Sequence, residues 1–124
     1  MSETRLPHDH GNNSTAAARN MPSDGEFLKA ATAFKQLGDS SRLRIFWLSC
    51  HCEECVINIS AIVGMSSPAV SHHLRLLKTA GFIQSRREGK EVYYTAADTP
   101  TAQLLHDMIK QLLALECPEE CHFE

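Results

Sequence analysis

Met65-Ser-Ser-Pro-Ala-Val-Ser-His-His-Leu-Arg-Leu-Leu-Lys-Thr-Ala-Gly-Phe-Ile83 carries the signals of one amphipathic helix with a start and a stop. Ser66 or Ser67 can cap the free amides of the first turn, and Pro68 suits an opening position where no backbone N–H is needed. Gly81 ends the run just past Ala80. At about 100° per residue, Val70, Leu74 and Leu77 fall on one stripe, widened by Leu76 and His73. Pro68, Ser71, His72 and Arg75 fall opposite. That short, polar, basic face suits a helix pressed into a DNA major groove, although an ordinary solvated face has the same composition.

The flanking residues decide between the two. Upstream, Ile57-Asn-Ile-Ser-Ala-Ile-Val63 places Ile59, Ile62 and Val63 at helical spacing, and Gly64 supplies a tight turn before Ser66. A short helix, a glycine turn and a polar-faced helix make a helix-turn-helix. Downstream, residues 82–95 read as a two-stranded hairpin turning at Glu88-Gly89-Lys90, with Val92, Tyr93, Tyr94 and Thr95 favouring strand. Arg86, Arg87 and Lys90 crowd its tip, where the wing of a winged helix meets phosphates. The expected fold is mainly α with a small β-hairpin wing (α+β), a winged helix-turn-helix.

The chain has 124 residues, the size of one ordinary domain, with the charged and apolar fractions of a soluble globular protein. It has no long uncharged apolar run, which excludes a membrane span or signal sequence from the reading and leads to a cytoplasmic expectation. A formal net charge of −3 argues weakly against a nucleic-acid binder, but the distribution matters more. From Ser67 to Lys90 five basic residues (Arg75, Lys78, Arg86, Arg87, Lys90) face one acid, Glu88, whereas the C-terminal tail carries Glu116, Glu119, Glu120 and Glu124.

Residues 1–25 read as a flexible arm, rich in small and polar residues. His8-Asp-His10 makes it either a plain polar tail or a metal-ligand arm that orders when loaded. A helix is expected over Phe27 to Leu37, ended by Gly38, and a second over Ser41 to Ser49, capped by Asp39 or Ser40, with Leu43, Phe46 and Trp47 in the core. The last helix opens at Pro100 behind Asp98 or Thr99. Leu104, Leu105, Met108, Ile109, Leu112, Leu113 and Leu115 cover so much of its circumference that one small domain cannot bury them all. That excess marks a dimerisation helix, and a two-fold dimer suits a palindromic operator. His106 and Asp107 are expected to be exposed or interfacial. The domain thus spans 26–116, with a cysteine-containing tail at 117–124.

The runs Leu37-Gly-Asp-Ser-Ser-Arg-Leu-Arg-Ile45, Val70-Ser-His-His-Leu-Arg-Leu-Leu77, Gly81-Phe-Ile83 and Arg86-Arg-Glu-Gly-Lys-Glu-Val-Tyr-Tyr94 together resemble the ArsR/SmtB family. These are small dimeric winged-helix repressors, most of which release DNA on binding a metal ion. The resemblance covers roughly Phe27 to Leu115, four separated motifs in order. It implies that Ser67 to Thr79 is the recognition helix, with Ser71, His72 and Arg75 reading base edges and Ser67, Arg86, Arg87 and Lys90 alongside. His73, turned toward the apolar stripe, is expected to pack.

The cysteines are the unusual feature. Cys50-His-Cys-Glu-Glu-Cys55 lies between the second and third helices and Cys117-Pro-Glu-Glu-Cys-His122 past the last, accounting for all five cysteines. In a cytosolic chain this is not a disulfide framework. Cys52-x-x-Cys55 can turn two thiolates inward onto one ion, and Cys117-x-x-x-Cys121 can do likewise; four thiolates are a common tetrahedral set for Zn(II) or Cd(II). The alternative is that each cysteine is a small buried or incidental residue. Cys50, His8 and His10 are further candidate ligands. By resemblance, Cys55 holds the position of a ligand cysteine at the start of the third helix. One branch of the family pairs it with ligands from the partner's N-terminal arm, a part open to His8 and His10. That branch's second cysteine is Ile57 here, and the zinc site between last helices keeps only Asp98, since Pro100, Gln111 and Ala114 fill its other positions.

The expected function is a metal-responsive repressor: a homodimer on double-stranded operator DNA that dissociates on binding a soft ion, with no organic cofactor and no membrane partner. An arsenite-responsive or thiol redox/persulfide-sensing repressor of the same fold is the alternative. An enzyme using Cys and His is not expected, because no pocket-forming glycine-rich loop or acidic orienting partner accompanies them.

Overall fold

The structure, a computed structural model, describes residues 5–114. The chain divides into two compact units, Met1–Thr32 and Ala33–Glu124.

The first unit carries helical structure. It holds α1 (Ser14–Arg19) and the opening of α2 (Asp24–Gln36), which starts before the expected Phe27. The reason is a reciprocal cap. The Glu26 amide donates to Ser23 Oγ (3.2 Å), and the Ser23 amide donates back to Glu26 Oε1 (3.2 Å).

In the second unit, α3 (Ser40–Ser49) is capped by Asp39, whose carboxylate accepts from the Arg42 amide at 2.9 Å. α4 (Val56–Val63) ends at Gly64, where a φ of +70° lets the chain reverse directly into Ser66, which caps α5 (Ser67–Thr79) by accepting from the Ala69 amide. β2 (Ile83–Glu88) and β3 (Glu91–Ala96) form the antiparallel hairpin, with Ile83 opposite Ala96 and Glu88 opposite Glu91. Thr99, rather than Asp98, caps α6 (Pro100–Leu113). The winged helix-turn-helix is therefore α3–α4–α5 followed by the wing.

The core of the second unit draws on α3, α4, α5, β2, β3 and α6. Ile45 and Phe46 of α3, Ile59 of α4, and Val70, Leu74 and Leu77 of α5 are almost fully buried. Phe46 meets Phe82 edge-on at 6.2 Å between ring centroids. Each such side chain contributes roughly 1.5–3 kcal/mol of burial free energy. Leu43 and Trp47 pack at the margin. Ile62, at helical spacing with Ile59 and Val63, is 59% exposed: the stripe that α4 buries is Ile59, Ser60 and Val63.

One element was not legible in advance. Glu54–Cys55 form a two-residue strand, β1, antiparallel to β3, with Glu54 opposite Tyr94 and Cys55 opposite Tyr93. The wing is thus a three-stranded sheet in the order β1-β3-β2, and its outermost strand carries a cysteine.

Candidate nucleic-acid interface and cysteine loop

α5 presents the two faces its sequence implies. Val70, Leu74 and Leu77 are buried, while Ser67, Pro68, Ser71, His72, Arg75 and Lys78 are exposed. Ser67 Oγ lies 3.2 Å from Ser60 Oγ, joining the start of α5 to α4. Arg75 Nη2 and His72 Nδ1, one turn apart, lie 3.0 Å from each other, so these two polar groups project as a unit. Lys78 Nζ donates to Ser85 Oγ at 2.7 Å and ties the end of α5 to β2. Set edge-on to a groove, this surface offers hydroxyls, an imidazole and a guanidinium, the groups that read base edges and hold phosphates.

His73 is half-buried and its Nδ1 accepts from Arg42 Nε at 3.2 Å; Arg42 also donates to the Gln36 carbonyl and to Gln36 Oε1. Loss of water and then the Arg42 charge push the His73 pKa down, so the neutral ring that can accept this bond is favoured.

The three basic residues of the wing differ. Arg87 and Lys90 are exposed and have no ion-pair partner among the described residues. Arg86 is held from both sides: Nε and Nη2 donate to Glu53 Oε1 at 2.8 and 2.7 Å, and Nη1 donates to Glu88 Oε2 at 2.6 Å. Its guanidinium also lies 4.9 Å from the Tyr93 ring centroid. Sequence reading placed Arg86 at the wing tip; it had no means of finding Glu53, 33 residues earlier, as its partner.

Glu53 belongs to the cysteine loop. Cys50 is buried at the end of α3. Cys52 is half-buried and its thiol donates to the Leu48 carbonyl at 3.4 Å; burial, then the nearby Glu54 carboxylate, push its pKa up, which favours the thiol over the thiolate. Cys55 is half-buried in β1 at the start of α4. Among the described residues no three His, Cys, Asp or Glu side chains come together as a metal-holding group. The Cys52 and Cys55 thiols fit a soft ion by donor chemistry but do not complete a site, and Cys117 and Cys121 lie outside the described residues. In the first unit His8 and His10 stack with centroids 5.8 Å apart.

His106 is the largest correction. Expected at the surface or an interface, it is 1% exposed, on the inward stripe of α6 with Ala102 and Ile109. Its Nε2 lies 3.1 Å from Nε2 of His51, itself covered by the Trp47 ring at 4.2 Å between centroids. Leu105 packs against the core, while the other described leucines of the helix are exposed. Leu104, Met108 and Leu112, spaced by one turn each, are 61%, 41% and 78% exposed. Leu115, expected on the same helix, is outside the described residues.

Fold and surface define a winged helix-turn-helix regulatory protein. The family model described as "Bacterial regulatory protein, arsR family" matches residues 39–85. A cadmium resistance transcriptional regulatory protein CadC homolog from Staphylococcus aureus is 42% identical over 79 residues, covering 63% of this chain and 65% of that protein, so the match spans a little under two thirds of this relative. An HTH-type transcriptional regulator from Methanocaldococcus jannaschii is 34% identical over 91 residues, covering 73% of this chain and 93% of that one. Among solved structures, the homodimeric winged helix-turn-helix DNA-binding domain of a possible ArsR-family regulator from Mycobacterium bovis superposes with a TM-score of 0.66 at 26% identity, covering 84% of this chain and 98% of that one. The chain belongs to the ArsR family of bacterial regulatory proteins. No helix among the described residues is long and apolar enough to cross a membrane.

Proposed function

We propose that the protein is a homodimeric transcriptional repressor that holds operator DNA in its apo state and leaves it on binding a soft metal ion, Zn(II) or Cd(II), through cysteine thiolates. The exposed polar face of α5, with Arg87 and Lys90 on the adjoining wing, carries the DNA-binding part. Ser67, Ser71, His72 and Arg75 face the bases and their edges, and the wing cations meet phosphates. The outward stripe Leu104, Met108 and Leu112 supports dimerisation, as does likeness to a homodimeric domain.

The metal part rests on Cys52 and Cys55 at the wing strand β1, on Cys117 and Cys121 in the sequence past α6, and on the name of the cadmium resistance relative. Release requires the ion to bind the free dimer more tightly than the DNA-bound one, and DNA must weaken metal binding by the same factor. The test is anaerobic fluorescence anisotropy of the reduced protein on its own promoter, titrated with Zn(II), Cd(II) and arsenite, with Cys55→Ser alongside. Release near one ion per subunit, lost in Cys55→Ser, is the expected result. No release by any of the three removes metal sensing and turns attention to peroxide and persulfide.

A further inference from the structure

A helix in the major groove reads only the bases that its own side chains complement, so the exposed face of α5 is an inventory of what it can select. That face carries the hydroxyls of Ser67 and Ser71, the His72 imidazole and the Arg75 and Lys78 cations. No asparagine or glutamine occurs between Ser67 and Thr79, so the amide that pairs with adenine N6 and N7 is missing. No aspartate or glutamate occurs there either, and with it goes the carboxylate that accepts from cytosine N4. What remains is chiefly donors. The base that offers two acceptors side by side in the major groove is guanine, through N7 and O6.

The donors are not held alike. Lys78 Nζ is turned to Ser85 Oγ on β2 at 2.7 Å, and Ser67 Oγ lies 3.2 Å from Ser60 Oγ of α4. Arg75 runs back toward the start of the helix, where base edges are met, and its Nη2 stands 3.0 Å from His72 Nδ1. A guanidinium only donates, so His72 Nδ1 is the acceptor and the ring carries its proton on Nε2. Unlike Arg86, Arg75 has no ion-pair partner among the described residues, and the rest of its fork is open to solvent.

We propose that, given operator binding through α5 as read above, Arg75 is the specificity-determining residue of the helix. It reads one guanine in each half-site through N7 and O6, and His72 is the positioning residue that holds its guanidinium. A planar fork on two acceptors of one base discriminates by geometry as well as by charge. Arg87 and Lys90 on the wing meet phosphates, which are alike in every sequence.

The test is selection of bound duplexes from a random pool by the full-length, reduced, metal-free protein, followed by fluorescence anisotropy on the selected duplex. A guanine is expected at one fixed place in each half-site. Replacing it with 7-deazaguanine, which removes N7 and keeps the Watson–Crick pair, is expected to weaken binding on the order of tenfold per half-site. Replacing it with deoxyinosine, which keeps N7 and O6 and alters only the minor groove, is expected to leave affinity unchanged. In Arg75→Ala the 7-deazaguanine penalty is expected to vanish, and in His72→Ala to shrink while affinity for random duplex holds. Both side chains are exposed, so helix content by circular dichroism is expected to stay at the wild-type value in each variant. A selected sequence without a fixed guanine overturns the proposal, as does a tolerated 7-deazaguanine, an equal loss with deoxyinosine, or a penalty that persists in Arg75→Ala. An undiminished penalty in His72→Ala overturns the positioning role. A wild type that selects no sequence at all removes α5 as a recognition helix, and the guanine assignment with it.

Discussion

The tether on Arg86 allows a quantitative test of how the wing meets DNA. Its guanidinium is committed to Glu53 and Glu88, at 2.7 and 2.6 Å. Replacing both acids with glutamine keeps their volume, removes their charge and releases Arg86. One added phosphate contact steepens the slope of log K against log salt by about 0.9, and two, one per protomer of the proposed dimer, by about 1.8. Between about 50 and about 200 mM salt, the Glu53→Gln/Glu88→Gln protein therefore loses about twelvefold more affinity than the wild type, having bound more tightly at the lower salt. Removing two acids also strengthens the attraction to DNA in a general way, so the measurement is a cycle: anisotropy against salt for wild type, the double variant, Arg86→Gln and the triple variant. The steepening is expected only where Arg86 is present. An equal slope in wild type and double variant, or the same steepening with Arg86 removed, refutes the tether.

Four further outcomes follow from the packing. Leu74→Ala, at a position 1% exposed, is expected to lower stability by about 2–5 kcal/mol in urea unfolding with the m-value unchanged. Leu112→Lys, at a position 78% exposed, is expected to leave helix content by circular dichroism intact while shifting the sedimenting species from dimer to monomer. His73 has a pKa lowered from 6.5 by burial and by Arg42, so its contribution is present above pH 6.5 and lost as pH falls through the lower folded-state value. His73→Gln, which keeps an acceptor for Arg42, should flatten the decline of Tm over that window. Asp39, lowered from 3.8 chiefly by the hydrogen bond from the Arg42 amide, contributes above pH 3.8 and loses its effect below. Asp39→Ala should therefore lower Tm at neutral pH and converge with wild type in acid.

Local chemistry made the winged helix legible. Ser66, Pro68 and Gly81 bound α5, and the period of Val70, Leu74 and Leu77 orients it, because each signal acts within a turn or two of the residue that carries it. The same kind of signal was present and passed over at α2, where Ser23-Asp-Gly-Glu26 is a capping box hidden by a glycine and a polar surrounding. β1 could not be read at all. Two residues have no period, and Glu54–Cys55 are extended only because β3, some forty positions on, offers a free edge. Glu53 and Arg86 are brought together by that pairing, so the link between cysteine loop and wing is a property of topology.

His106 shows a different limit. On α6 the apolar residues encircle the axis, and hydropathy alone assigns the inward face to the leucines. The structure instead buries Ala102, His106 and Ile109, leaving Leu104, Met108 and Leu112 outside. Ala102 is fully buried on that side, and His51 offers His106 a nitrogen that an inward leucine could not use. A buried imidazole is tolerable only with such a partner, and that partner stands 55 residues away at the end of another helix. A large apolar stripe turned outward and a polar group turned inward are thus two consequences of one rotation of α6. The first gives the surface proposed to meet a second copy, and the second sets His106 against His51.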